Sequence, residues 1–350
     1  MSFLILKDDE PQFIWDAINE LQLIFHPKIA PEGVFEYRSL SALCHSKNVT
    51  IFLDRNLLSS FLRLCKQGSL DDEIEMRIIA LLMTWVIMHQ ISICSGLAIT
   101  ENATRTDDNI YARKEVKKFQ EAFDFYPSMM WLRLAQGKID KIPPCEFSEI
   151  PYDTPIEYHK EDDHLLMHVA CMLHIVYLYR RKDLSAVDKI ISFLTWNCKY
   201  LLICQYTNTY IAMLFTNQEG IRPPKGVNSD KIEIIMKGCY NQAWDLNYLS
   251  SWSTLYWDEK EQEDAFMFAT ADLMLKKIFI NTHGGGNFFD LINVVFAAKE
   301  AQRIVDFCEY HFNPDNRVRP DFGDNPNQYF RKLIKQEKDR LCTLIEIDKI

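Results

Sequence analysis

Two aspartates in this chain directly follow short apolar runs. Asp54 ends the stretch Asn48–Leu53 (NVTIFL), and Asp272 follows Phe266–Thr270 (FMFAT) after a single alanine. Both runs are rich in β-branched or aromatic residues, and both give way at once to a helical pattern, Leu57–Leu62 after the first and Leu273–Ile280 after the second. Each therefore reads as a buried strand turning into a helix. In open α/β sheets ligands bind outside the carboxyl ends of strands. If the two strands are parallel neighbours, the two carboxylates converge there, and without a cation one of them takes up a proton. A hard divalent ion relieves the repulsion, since Mg²⁺ takes carboxylate oxygens together with water and substrate phosphate. Such a site supports hydrolysis at phosphorus by an activated water. The plainer account is that each aspartate only caps the helix that follows it.

Three segments carry a family resemblance. Ile51-Phe52-Leu53-Asp54-Arg55-Asn56 resembles the opening motif of PIN-domain nucleases, a strand ending in Asp-Thr-Asn or Asp-Thr-Ser before a helix. Ala243-Trp244-Asp245-Leu246 resembles their later aspartate at a helix start, and Thr270-Ala271-Asp272 the strand-end acid that follows it. The resemblance implies an α/β fold with a PIN-like three-layer core, a short parallel sheet, dominant helix and a large helical insertion. It also implies that Asp54, Glu101, Asp245 and Asp272 bind one or two Mg²⁺ or Mn²⁺ ions. Asn56, Arg55, Thr270 and Lys276 are then expected to orient ligands or contact substrate phosphate. Glu101 fills the family's glutamate position, with Glu75 and Asp107 as rivals, and Trp257-Asp258-Glu259 is a rival source of an acid. The implied activity is an endonuclease, on RNA rather than DNA, with toxin-like or phage-defence roles as an extension. Arg55 departs from the small residue usual there, and the long gap from Glu101 to Asp245 requires an insertion.

Other constellations are weaker. His164 and His168 stand four apart with His159 nearby, but the His-Glu-x-x-His order of a zinc helix is absent, so they read as a helix-surface pair. His283-Gly284-Gly285-Gly286 lacks both a Gly-x-Ser-x-Gly elbow and a following Gly-Lys-Ser/Thr, and reads as a turn. Arg303 and His311 lie too far apart for the motif of helical HEPN-type ribonucleases.

The elements that position these residues are mostly helical. Helical spacing is expected over 11–26, 71–89, 114–125, 162–179, 184–215, 230–257 and 287–309, with an irregular connection across 103–158. The expected organisation is 1–45 as an N-terminal helical segment, 46–130 and 230–350 as the two parts of the core, and 131–229 as the insertion. A net charge of -10 argues against coating long nucleic acid, while leaving local cutting open. Ten scattered cysteines without a Cys-x-x-Cys pair suit a reducing compartment. The N-terminus has no signal-peptide pattern and no run reaches a membrane span, so a cytoplasmic protein is expected. Two other functions fit the same residues: a catalytically inactive PIN-like module binding a protein partner through its helices, and a metal-dependent phosphohydrolase acting on nucleotides.

Overall fold

The computed structural model describes residues 6–7, 9–158, 161–258 and 263–347. Glu259 and His159, two of the residues weighed above, lie outside them, as does the side chain of Asp258. In chain order the described elements are α1 (Glu10–Leu21), β1 (Ile24–Phe25), α2 (Tyr37–Ser46), β2 (Asn48–Leu53), α3 (Arg55–Gln67) and α4 (Glu73–His89). There follow β3 (Ser92–Cys94), α5 (Gly96–Thr106), α6 (Asn109–Phe125), α7 (Ser128–Ala135), α8 (Asp163–Arg180), α9 (Ala186–Tyr200) and α10 (Gln205–Phe215). The last are α11 (Ile232–Asp258), β4 (Asp264–Ala269), α12 (Leu273–His283), α13 (Phe288–Val295), α14 (Ala298–His311) and α15 (Pro326–Ile347). The chain divides into two compact units, 1–160 with 252–272, and 161–251 with 273–350.

The first unit holds all four described strands, in the order β1-β4-β2-β3. β2 pairs in parallel with β3 on one side and with β4 on the other, in a register that sets Leu53 opposite Ala269. Four of six residues are buried in each of β2 and β4, as expected of strands covered on both faces. The sheet is mixed, not all-parallel: Ile24 and Phe25, expected to prolong the first helix, instead pair antiparallel with β4. Gln22 closes α1 in a left-handed conformation, which lets the chain leave the helix for that edge. Helices α2 and α5 pack on β2, α3 packs on α4, α5 and α6, and Phe61, Trp85 and Trp131 are fully buried in the core. Asp72 caps α4 by accepting the Ile74 and Glu75 N–H groups at 2.9 and 3.1 Å.

The expected irregular stretch across 103–158 is corrected. The helical piece expected at 114–125 lies within α6, the end of α5 and all of α7 are helical as well, and only about residues 136–158 lack regular structure. That strap is fastened along its length. Ile142 and Cys145 donate their N–H groups to the Gly68 and Cys65 carbonyls at 2.8 and 2.7 Å, and Ser148 donates to Glu121 at 2.9 Å. Gly68, at φ 81°, ends α3 where a side chain would collide with the Ile142 carbonyl.

The second unit is helical. α15 packs on α8, and α10 packs on α8, α9, α12 and α13. α8 is buried around nearly its whole circumference from Leu165 to Val176. His168 is therefore not on a helix surface. It is fully buried, pairing with the Ser250 hydroxyl at 2.7 Å and the Thr207 hydroxyl at 3.3 Å. The stretch 184–215, expected as one helix, is two, broken at about 201–204. Among the described residues no helix is long and apolar enough to cross a membrane.

Candidate active site

Asp54 stands one residue beyond β2, where the chain turns into α3. Its N–H still belongs to the sheet, donating to the Ala269 carbonyl at 3.1 Å, while its side chain already belongs to the helix, accepting the Leu57 N–H at 2.8 Å. It is thus a true N-cap. The second carboxylate oxygen accepts the Thr270 hydroxyl through a short hydrogen bond across the β2–β4 pair. Thr270 is held in turn by its own N–H, which donates to the Leu23 carbonyl at 3.0 Å, and it is fully buried. Its hydroxyl oxygen accepts the Asp272 N–H at 3.0 Å. The two strand-end aspartates therefore lie at one carboxyl edge, joined through a single threonine.

Burial pushes the Asp54 carboxyl up to about 6, and the negative charges of Asp272 and Glu101 push it the same way. The hydrogen bonds from Leu57 and Thr270 pull it partly back. Glu101 reaches this neighbourhood from α5, the helix after β3, the other parallel neighbour of β2. It is buried and paired with Arg105 at 3.4 Å. Its rivals are placed differently. Glu75 is held by Ser60 and Arg63, and Asp107 closes α5 in a left-handed, exposed position.

The remaining expected residues are not all brought together. Asn56 is exposed in the first turn of α3. Arg55 turns its guanidinium to Glu115 on α6, in a bidentate pair at 2.7 and 2.8 Å, and to the Ala98 carbonyl on α5 at 3.3 Å. Asp245 and Lys276 belong to the second unit. Asp245 is not at a helix start but lies mid-helix in α11, where Gln242 donates to it at 2.9 Å. Among the described residues no cluster of three or more His, Cys, Asp or Glu side chains is arranged to hold a metal ion.

No protein-family model, curated protein or solved structure matches this chain. The site must therefore be read from its own chemistry. Its donors are carboxylate oxygens, which suit Mg²⁺ or Mn²⁺ better than zinc. Mg²⁺ commonly keeps several waters and needs only one or two carboxylates, so Asp54 and Asp272, with Glu101 behind them, are a chemically fitting set. Each oxygen of Asp54 already accepts one hydrogen bond and retains a second lone pair.

Glu115 was missed at the sequence level although a signal existed. It sits on the buried stripe of α6 with Ala112, Phe119 and Ala122. A carboxylate on an apolar stripe needs a cationic partner, and the unusual Arg55 is that partner.

Proposed function

We propose that the first unit is a PIN-like, metal-dependent nuclease module that hydrolyses phosphodiester bonds, RNA before DNA. The observation carrying this reading is the meeting of Asp54 and Asp272 at the carboxyl edge of two parallel strands. Glu101 adds a third negative charge from the next crossover helix, and Asp54 is raised to about 6 by burial and by those charges. A buried acid whose charged form two neighbouring acids disfavour is the arrangement a divalent cation relieves. When bound, the ion supplies charge neutralisation at phosphate and a more acidic water. Asp54 and Asp272 would hold it, with Glu101 as a further acid. Thr270 orients the Asp54 carboxylate and anchors the Asp272 backbone, and Arg55 clamps α3 to α5 and α6, keeping the cap rigid. Asp245 and Lys276, as residues of the second unit, are not used in this reading.

The experiment is cleavage of labelled oligonucleotides beside free nucleotides, with Mg²⁺ or Mn²⁺, by the native chain and by Asp54→Asn/Asp272→Asn. Metal-dependent cleavage of oligonucleotides lost in the folded double variant supports the reading; cleavage unchanged by it refutes the assignment. Turnover of free nucleotides alone would favour the phosphohydrolase.

A second reading is favoured by one observation: both Asp54 oxygens already accept hydrogen bonds from within the first unit. A PIN-like shell that binds partners without catalysis would look this way. Calorimetric titration with Mn²⁺ separates the two, because the shell has no site that Asp54→Asn removes.

A further inference from the structure

Arg55, next to Asp54, lies at one end of a groove between α3 and α6, about 320 Å³ in volume. Along α3 the groove is lined by Arg55, Arg63 and Lys66, and along α6 by Tyr111, Lys114 and Lys118. Five cations line one groove in a chain of net charge -10. From Arg55 to Lys66 the α3 face runs about 16 Å at the helical rise, starting from the end of the helix that Asp54 caps. The cations are not equally committed. Arg55 is locked to the buried Glu115, and Arg63 pairs with Glu75. Lys66 is exposed and makes no ion pair among the described residues.

The lysine pair shows what the groove grips. Lys114 and Lys118 are one turn apart on α6 and both reach the carboxylate of Glu149, at 3.1 and 3.3 Å to its two oxygens. Hydrogen bonds from the two lysines hold that carboxyl below the usual carboxylate range. Glu149 is 72% exposed, and it comes from the strap that lacks regular structure. Exposed ion pairs of this kind are weak and screened by salt. An anion with two oxygens on one centre therefore sits in a lysine seat from which it is easily displaced. A phosphodiester presents the same pair of oxygens with a full charge. Tyr111, 45% exposed on the same face of α6, offers a ring on which a base can stack.

We infer that the groove between α3 and α6 holds the phosphodiester backbone of a single-stranded nucleic acid leading to the acidic edge. Glu149 takes the Lys114–Lys118 seat when no phosphate is there. The exposed Tyr111 ring favours a strand whose bases are free to stack over one whose bases are paired. The inference rests on the nuclease reading for the direction in which the strand runs, but its test needs no cleavage.

The test uses the full chain carrying Asp54→Asn, in EDTA, with anisotropy of short fluorescein-labelled oligouridylate and oligothymidylate between about 50 and 200 mM salt. Lys66→Glu/Lys118→Glu is expected to weaken binding about tenfold or more and to reduce the salt slope by about 1.4, the loss of two single-strand phosphate contacts. Glu149→Gln should tighten binding about threefold, and Tyr111→Ala should weaken it with the slope unchanged. Circular dichroism confirms folding, and Lys332→Glu/Lys335→Glu on the second unit, with the same change in net charge, is the control. Unchanged affinity and slope in the groove double reversal, or an equal loss in Lys332→Glu/Lys335→Glu, overturns the inference, as does Glu149→Gln leaving binding unaltered. The oligouridylate and oligothymidylate arms separate RNA from DNA. Native binding with no Mn²⁺-dependent cleavage by the native chain sinks the nuclease reading and leaves the groove standing.

Discussion

Thr270 donates its hydroxyl to Asp54 across the β2–β4 register, and the same oxygen accepts the Asp272 N–H at 3.0 Å. One small side chain thus joins the Asp54 carboxylate to the Asp272 backbone, and it lowers the proton affinity of Asp54 against the burial that raises it. Thr270→Val keeps the shape and removes the hydroxyl. The Asp54 carboxyl should then titrate above its present value of about 6, read by NMR or by the pH profile of metal binding. A titration identical to that of the native chain would show that the hydroxyl does not act on Asp54.

The raised Asp54 carboxyl also makes a signed statement about stability. Its folded value, about 6, lies above the ordinary 3.8. The stability it contributes is therefore fully present below about 3.8 and lost as pH rises through about 6. The full difference corresponds to about 3 kcal/mol. Acid effects elsewhere run the other way. Burial lowers His89 to about 4, so protonation of that residue costs stability as pH falls below its ordinary 6.5. The native profile mixes the two, and the difference between native and Asp54→Asn isolates the aspartate. Denaturant unfolding should show Asp54→Asn gaining on the native chain as pH rises from 4 to 7. A parallel pair of curves would mean that Asp54 is not desolvated.

Divalent ions act on the same balance. Mg²⁺ or Mn²⁺ bound by Asp54 and Asp272 should raise the melting temperature at pH 7 and lose that effect as pH falls below about 6, because the proton competes for Asp54. Asp54→Asn should abolish the shift. A shift of equal size in the variant would place the ion elsewhere.

The aspartates were legible because their signals are local. Ile51, Phe52 and Leu53 are buried one after another, which marks β2 in the sequence to the residue, and β4 is displaced from its expected span by only one or two positions. What was not legible depends on partners distant in the chain. β1 is two residues long and exists only because β4 offers it an edge. His168 looked like a surface residue because its polar partners, Thr207 and Ser250, lie on other helices. Asp245 was placed at a helix start by the family resemblance alone, against the helical spacing over 230–257 that α11 follows.

Arg55 and Glu115 are sixty positions apart, and their pair is the strongest structural claim on α3. Glu115 is 4% exposed and Arg55 contributes two hydrogen bonds to it. Arg55→Met removes the cationic partner of a nearly buried carboxylate, and should cost about 3 kcal/mol in urea unfolding, in the range for an uncompensated buried charge. Adding Glu115→Leu should recover most of that loss, because the pair is then replaced by apolar side chains. If the single and double variants unfold alike, the two residues are not coupled.

The second unit carries its own acid sensitivity. His168 is fully enclosed, and burial, helped by His164, lowers it to about 3 from an ordinary 6.5. A depressed histidine contributes stability above its unfolded value that drains away as pH falls through 6.5 toward the folded value. By pH 5 the drain is about 2 kcal/mol. His168→Gln keeps a side chain able to hydrogen bond to Ser250 and Thr207 but does not titrate. It should be less stable than the native chain at pH 7.5, through imperfect packing, and should close that gap by pH 5. Urea unfolding of the two chains, compared at pH 7.5 and pH 5, reads the effect. A gap that stays constant from pH 7.5 to 5 would show that His168 accepts a proton in the folded chain as readily as in the unfolded one, and the burial argument for its neutrality would fail.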